Sequence, residues 1–281
     1  MFVRISRSWL GLILLLVFQT LSLLAFATLG LHREWFAGNP VLSGCRNSLF
    51  AIVAQTQLYL SLAALSIYFW HRWQYRWLPA AMAVFVVSLA VEYYGACRGL
   101  PFGTYVYSPL LGYSIGGKVP LVVPLNWFAM GLASYLLSAT LLPSAFCVRQ
   151  IVTAAFLLSW DLALDPAMSH VTHYWHWQET GAYYGVPWLN FVGWLVTGVL
   201  ISLTLEFTLP TDIHEASPRW IACYYGVNIL LPYGMLLAAG LWPGCAVSIA
   251  AVLCTCRIAS ALGGGGKLAF RDEGGFAANS G

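Results

Sequence analysis

Charge is what this chain has least of. Lys, Arg, Asp and Glu make up 8% of its 281 residues, where a soluble globular chain carries about a quarter. That shortage excludes a solvated surface over most of the molecule, and the formal charge of +3 is too small to mark a nucleic-acid partner. Other absences narrow the chemistry. There is no Gly-rich phosphate loop of the G-x-x-x-x-G-K-[ST] form and no D-D-x-x-D diphosphate motif, so kinase and standard prenyl-diphosphate readings have no footing. The seven cysteines are scattered, apart from Cys254-Thr-Cys256, and none shows C-x-x-C spacing. An odd, dispersed set argues against a disulfide framework, so most read as small apolar fillers.

What the chain has instead is apolar length. Hydrophobic residues reach 60%, with a mean hydropathy of +0.74. Since about twenty apolar residues span a bilayer, the windows 9–31, 48–70, 78–97, 119–142, 148–165, 187–209, 219–240 and 243–262 predict an all-α, polytopic bundle of about eight transmembrane helices. Seven would remain if the last two formed a broken pair around Trp242-Pro243-Gly244. The first apolar run is too long for a signal-peptide core and has no small-x-small cleavage site, so it reads as the first span. Arg4, Arg7, Arg72, Arg76, Arg149, Arg219, Lys267 and Arg271 share one side, against Arg33, Arg46, Arg98 and Lys118 on the other. This excess predicts a multi-pass protein of the cytoplasmic (inner) membrane with both termini in the cytoplasm. Residues 1–262 read as one transmembrane domain and 263–281, which opens on four consecutive glycines, as a flexible cytoplasmic tail.

Two connections, Arg98 to Lys118 and Ala167 to Val186, are rich in Gly, Pro and aromatics and fall on the same face, outside in this topology. A solvated linker would carry more charge, so both read as ordered caps over a cavity.

Beneath those caps lie the acids. Asp161 and Asp165 end the fifth apolar window, and their i, i+4 spacing puts both carboxyls on one helix face. Pro166 is expected to stop that helix. A carboxylate inside the membrane is expensive and marks a functional site by default; one near a helix C-terminus also opposes the macrodipole. Two like charges one turn apart in a poorly hydrated site favour keeping one of them as a neutral acid, able to donate a proton. Glu92, Asn126 and Asn190 fall at the same depth as the pair, at about 1.5 Å rise per residue, whichever way the protein is inserted. Scattered structural groups would not share one level. The bland alternative for the asparagines is interhelical hydrogen bonding, and for Glu92 a salt bridge to Arg98, two turns away. The two helix pairs also echo each other, each running from an acid through a Gly/Tyr-rich loop to Val-Pro and an Asn, as a parallel internal repeat would. Glu206 and Arg257 lie near helix ends and read as structural.

His170, His173 and His176 form H-x-x-H-x-x-H. A metal reading would make the chain a membrane oxygenase, but a di-iron hydroxylase site takes about eight histidines, and the chain has six. A loop that lines the substrate is the preferred reading, with no metal. The other alternative is a non-catalytic lipid transporter.

At these residues the sequence resembles the integral-membrane carotenoid 1,2-hydratases of bacteria and haloarchaea. The resemblance is carried by Glu92-Tyr-Tyr-Gly95, the run from Gly99 to Tyr107, Val119-Pro120 with Asn126-Trp127, the run from Trp160 to Pro166, Trp175-His-Trp177, and the run from Gly181 to Pro187 with Asn190-Phe191. It covers residues 80–200 well and the flanks in hydropathy alone. The resemblance implies hydration of a terminal C1=C2 bond in an acyclic carotene dissolved in the bilayer, without a cofactor and in contact with membrane lipid and other carotenoid-pathway enzymes. From the chemistry such a reaction needs, Asp161 or Asp165 would be the acid. Tyr93, Tyr94, Trp127 and Trp160 would face the cation, and Glu92 with Asn126 or Asn190 would hold the water. Tyr105, Tyr107, Trp175, His176, Tyr183 and Tyr184 would line the substrate from the loops, below a lateral opening between helices.

Overall fold

The computed structural model describes residues 7–36 and 38–263; the predicted tail beyond 263 lies outside them. Among the described residues, eight helices are long and apolar enough to cross a membrane, as expected of a multi-pass membrane protein. They are α1 (Arg7–Ala25), α2 (Pro40–Trp73), α3 (Leu78–Arg98), α4 (Val122–Leu141), α5 (Phe146–Asp165), α6 (Trp188–Thr208), α7 (Pro218–Ala238) and α8 (Trp242–Leu262). The last two are separate spans that turn at Gly240, whose φ is +75°.

Two boundaries differ from the hydropathy windows. Helix α2 starts at Pro40, well before residue 48, because Asn39 accepts hydrogen bonds from the Val41 and Leu42 amides and Pro40 takes the first helical position. Those local signals prevail over the polar composition of Ser43 to Ser48. Nor does Pro166 stop the fifth span, which continues as a π-helical turn over Pro166–Val171. The missing Pro N–H leaves the Leu162 carbonyl unpaired within the helix, and the Tyr183 hydroxyl donates to it at 2.6 Å.

The two aromatic connections are ordered. The first contains β1 (Tyr105–Tyr107) and a small hairpin of β2 (Ser114–Ile115) and β3 (Val119–Pro120); the second contains β4 (Trp175–Trp177). Strands β1 and β4 pair antiparallel, Tyr105 opposite Trp177 and Tyr107 opposite Trp175. The two loops thus meet as one lid across the bundle. At the opposite face, Arg149 and Glu206 pair at 2.5 Å, and Tyr135 Oη also donates to Glu206 at 2.8 Å. Glu206 therefore ties α4, α5 and α6 together, where simple snorkelling was expected. Helix α4 is the most enclosed: Trp127 through Leu136 are buried without a break. Helices α1, α2 and α8 turn leucines outward toward lipid.

Candidate active site

Glu92 is buried at 5% exposure in α3. Its Oε2 accepts from Tyr105 Oη at 2.6 Å and Tyr107 Oη at 2.8 Å, and its Oε1 from Trp127 Nε1 at 2.8 Å. Gly95, one turn along, makes this approach feasible: a Cβ there would sit 2.9 Å from the Phe102 ring and 3.0 Å from Tyr105 Oη. The Glu-Tyr-Tyr-Gly string thus supplies an acid and the gap through which the lid reaches it.

Asp165 is held from the other half of the lid. Its Oδ1 accepts from Trp175 Nε1 at 2.8 Å and Trp177 Nε1 at 3.0 Å, and its Oδ2 from Asn190 Nδ2 at 2.8 Å. Side chains alternate across a strand, so Tyr105, Tyr107, Trp175 and Trp177 share the inward face, while Val106 and His176 are exposed. Four aromatic donors on one two-stranded ribbon clasp two carboxylates from two helices. The echo between the helix pairs is visible here, since each acid is held by the strand that follows it in sequence. Burial first, and then the charge of Glu92, raises the Tyr105 and Tyr107 phenols above their ordinary range. Both therefore stay protonated and act as donors.

Asp161 differs from the other two acids. It is fully buried, Asn190 Nδ2 donates to its Oδ2 at 2.9 Å, and its Oδ1 has no hydrogen-bond partner. The other two carboxylates accept three donors each, enough to satisfy an ionised group. Asp161 has one donor and one bare oxygen.

All three acids line a single cavity of about 330 Å³, together with Asn126, Asn190, Trp127, Trp160 and Trp194. The Trp127 and Trp194 rings lie 4.1 Å apart and Trp194 meets Trp160 edge-on at 5.8 Å, so three indoles form a continuous wall. Trp160 is fixed by a backbone fault: Pro232 inside α7 cannot donate to the Asn228 carbonyl, which accepts from Trp160 Nε1 at 3.4 Å instead. The Asn126 side chain lines the cavity and makes no hydrogen bond to another described side chain.

The structure brings Glu92, Asn126, Trp127, Trp160, Asp161, Asp165 and Asn190 together as expected, with Tyr105, Tyr107 and Trp175 holding acids as well as lining the cavity. It does not bring Tyr93 and Tyr94 there. Successive helical residues are about 100° apart, and both rings lie exposed beside the buried Glu92, at 40% and 55%. His176 points out of the lid. Tyr183 braces Leu162, and Tyr184 packs near His170 at 6.0 Å; neither lines the cavity. His173 Nδ1 bonds to the Ser169 carbonyl and stacks on His176 at 5.4 Å. Among the described residues no group of three or more His, Cys, Asp or Glu has metal-binding geometry. Sequence reasoning missed Trp177, Trp194 and Asn228 as site residues. Trp194 stands one turn beyond Asn190, and Trp177 repeats Trp175 at strand spacing, so both carried a signal.

Comparison with known proteins identifies the family. Residues 53–255 match the model of a family described as carotenoid biosynthesis protein. Bisanhydrobacterioruberin hydratase of Haloarcula japonica is 34% identical over 131 residues, which is 46% of this chain and 44% of the relative. The match thus spans less than half of that relative's length. No solved structure matches this chain.

Proposed function

This chain belongs to the carotenoid biosynthesis protein family, and from that premise we propose that it is a carotenoid hydratase, a carbon–oxygen hydro-lyase acting on the terminal C1=C2 bond of an acyclic carotene. The observation that carries the proposal is the contrast among the three acids: one carboxyl with a bare oxygen in an indole-walled cavity, beside two carboxylates already satisfied by three donors each.

In this reading Asp161 carries the proton. Its Oδ1 gives that proton to C2, the π electrons form the new C–H bond, and a tertiary cation is left at C1. The faces of Trp127, Trp160 and Trp194 stabilise that cation, by about 2 kcal/mol or more for a desolvated contact. A water oriented by Asn126 attacks C1, the C–O bond forms, and the water's surplus proton passes to Glu92. Return of that proton to Asp161 through the chamber resets the site. The sum is one alkene and one water giving one tertiary alcohol, with no electrons transferred, and the acid step accounts for about 10²–10⁴ in rate. Asp165 and Asn190 orient Asp161 and keep it from turning away.

The substrate is a membrane-dissolved polyene, so residues 1–262 act as one domain of the cytoplasmic membrane, with the lid outward and both termini cytoplasmic. The test is isotopic. Lycopene-producing cells that express the protein should form a carotenoid heavier by one water, its oxygen drawn from oxygen-18 water and not from dioxygen. Label from dioxygen would turn the reading to an oxygenase, and no product at all to a transporter or binding protein.

A further inference from the structure

The cavity that holds the acids does not end at them. Its wall continues along α1 through Ser22 and Ala25 to Leu29 in the π-helical turn Phe26–Gly30 that extends it, and along α2 through Leu42, Cys45 and Leu49. These two helices run antiparallel and are joined at two points along the seam between them. Near the face opposite the lid, a Cβ on Gly11 would lie 3.3 Å from Ala64 Cα, so the backbones touch. Toward the lid, Arg46 Nη2 donates to the Gly30 carbonyl at 2.7 Å. The cavity wall reaches the surface around the lid-side tie, with Leu29 and Leu49 on its bundle side and Leu42 and Cys45 beyond it. Leu29, Leu42, Cys45 and Leu49 are both cavity wall and exposed surface, which makes them the rim of an opening on the lipid-facing side of the bundle.

Size and chemistry identify the occupant. A volume of about 330 Å³ is near the lower end of the roughly 300–1,000 Å³ usual for small-molecule sites. It suits the tip of a long chain and not the whole of one. The exposed rim residues are leucines and a cysteine, beside Arg46, and an opening on the lipid-facing side suits a molecule already dissolved in the bilayer. The acids Asp161, Asp165 and Glu92, with Asn190, stand on α3, α5 and α6, away from that rim.

We propose that the seam between the lid-side halves of α1 and α2 is a lateral portal. A linear isoprenoid polyene enters it tip first, leaving its remaining length lying between the two helices and in lipid. The proposal rests on the hydratase reading for the identity of the substrate, and its test does not depend on turnover. Cys45 is a native thiol on the rim, and Cys254 on α8 is exposed elsewhere.

The experiment is peptide-resolved maleimide labelling of the full chain in proteoliposomes, with and without lycopene. Lycopene should slow alkylation of Cys45 at least fivefold while the rate at Cys254 stays the same. In Leu49→Trp, where an indole fills the rim, that protection should vanish, and any hydration of lycopene should fall at least tenfold. An unchanged Cys254 rate and a normal elution profile would show that this variant is folded. Equal Cys45 rates with and without lycopene, or wild-type protection in Leu49→Trp, would overturn the portal. Protection of Cys45 without any hydrated product would leave the portal standing and sink the hydratase.

Discussion

Asn190 holds Asp161 and Asp165 through one amide: its Nδ2 lies 2.9 Å from Oδ2 of the first and 2.8 Å from Oδ2 of the second. The two carboxyls are one turn apart on α5, and the donor comes from α6, so the geometry of the pair depends on how two helices pack. With both amide hydrogens committed, Asp161 Oδ2 is fixed and its bare Oδ1 is directed by default. A site that needs a proton delivered at one point is thus aimed by a residue that carries no charge.

Asn190→Ala should therefore disable the site without removing an acid. Hydrogen bonds between membrane helices contribute about 1–2 kcal/mol each at most, and a loss of about 2 kcal/mol from the transition state slows turnover about 30-fold. Asn190→Gln, with the same donor on a longer arm, should recover part of the rate. Product formation in membranes, normalised to inserted protein, reads both. Equal activity in Asn190→Ala and the wild type would remove Asn190 from the proposed mechanism.

The three acids should fail to different degrees. Asp161→Asn removes the transferable proton and is expected to cost about 10²–10⁴ in rate. Glu92→Gln keeps an acceptor for Tyr105, Tyr107 and Trp127 but cannot take the water's proton, and it should be nearly as severe. Asp165→Asn keeps a carbonyl oxygen for the two indole donors and should be the mildest of the three. Asp165→Leu would strand both indole N–H groups, at about 1–3 kcal/mol for each buried orphan, and should reduce folded protein as well as activity. Product assays paired with size-exclusion yields separate these cases. An Asp161→Asn protein as active as Asp165→Asn would reverse the assignment of the acid.

Much of this site was legible before any coordinates, and the reasons are physical. An acid inside an apolar window costs too much to be incidental, so Glu92, Asp161 and Asp165 stood out, and depth alone drew Asn126 and Asn190 to them. Depth says nothing about rotation around a helix axis, which is why Tyr93 and Tyr94 were expected beside the cation and are instead exposed at the bundle surface. The lid was harder to read. Tyr-Val-Tyr and Trp-His-Trp each have strand periodicity, but their pairing joins residues about seventy positions apart, and no local signal encodes it. Residues expected to touch substrate, Tyr105 and Tyr107 among them, are first of all hydrogen-bond donors to an acid. The start of α2 was readable in Asn39-Pro40, which a hydropathy window averages away.

Alkaline pH should reveal the clasp. Tyr105 and Tyr107 are buried against Glu92, and burial first, then that charge, raises both phenols above the ordinary value of about 10. A folded phenol with a raised value holds its proton more tightly than the unfolded one. Its contribution is thus fully present below about pH 10 and is lost as pH rises from there through the folded values. Thermal stability in detergent should show no loss from these groups between neutrality and that point. It should then fall by about 1.4 kcal/mol per pH unit for each phenol. The Tyr105→Phe/Tyr107→Phe protein should be less stable at neutral pH, having lost two hydrogen bonds to Glu92, and should fall less steeply above pH 10. Parallel alkaline slopes in the two proteins would show that the phenols do not hold their protons as the clasp requires.

Pro232 offers a test that separates positioning from stability. Because it has no N–H, the Asn228 carbonyl one turn earlier is left to Trp160 Nε1, and the indole is held with its ring on the cavity wall. Pro232→Ala would restore an amide donor for that carbonyl and place it in competition with Trp160. An interior proline usually destabilises a helix, by about 3 kcal/mol, so the substitution should leave the fold as stable as before or more so. Activity should move the other way. A neutral hydrogen bond contributes about 1 kcal/mol, and its loss from a cation-facing ring should slow turnover about fivefold, while labelling of Cys45 is still suppressed by lycopene. Trp160→Phe keeps an aromatic face, lacks the indole N–H and should match it. If Pro232→Ala raised stability and left turnover unchanged, Trp160 would be wall and not part of the chemistry, and cation stabilisation would fall to Trp127 and Trp194 alone.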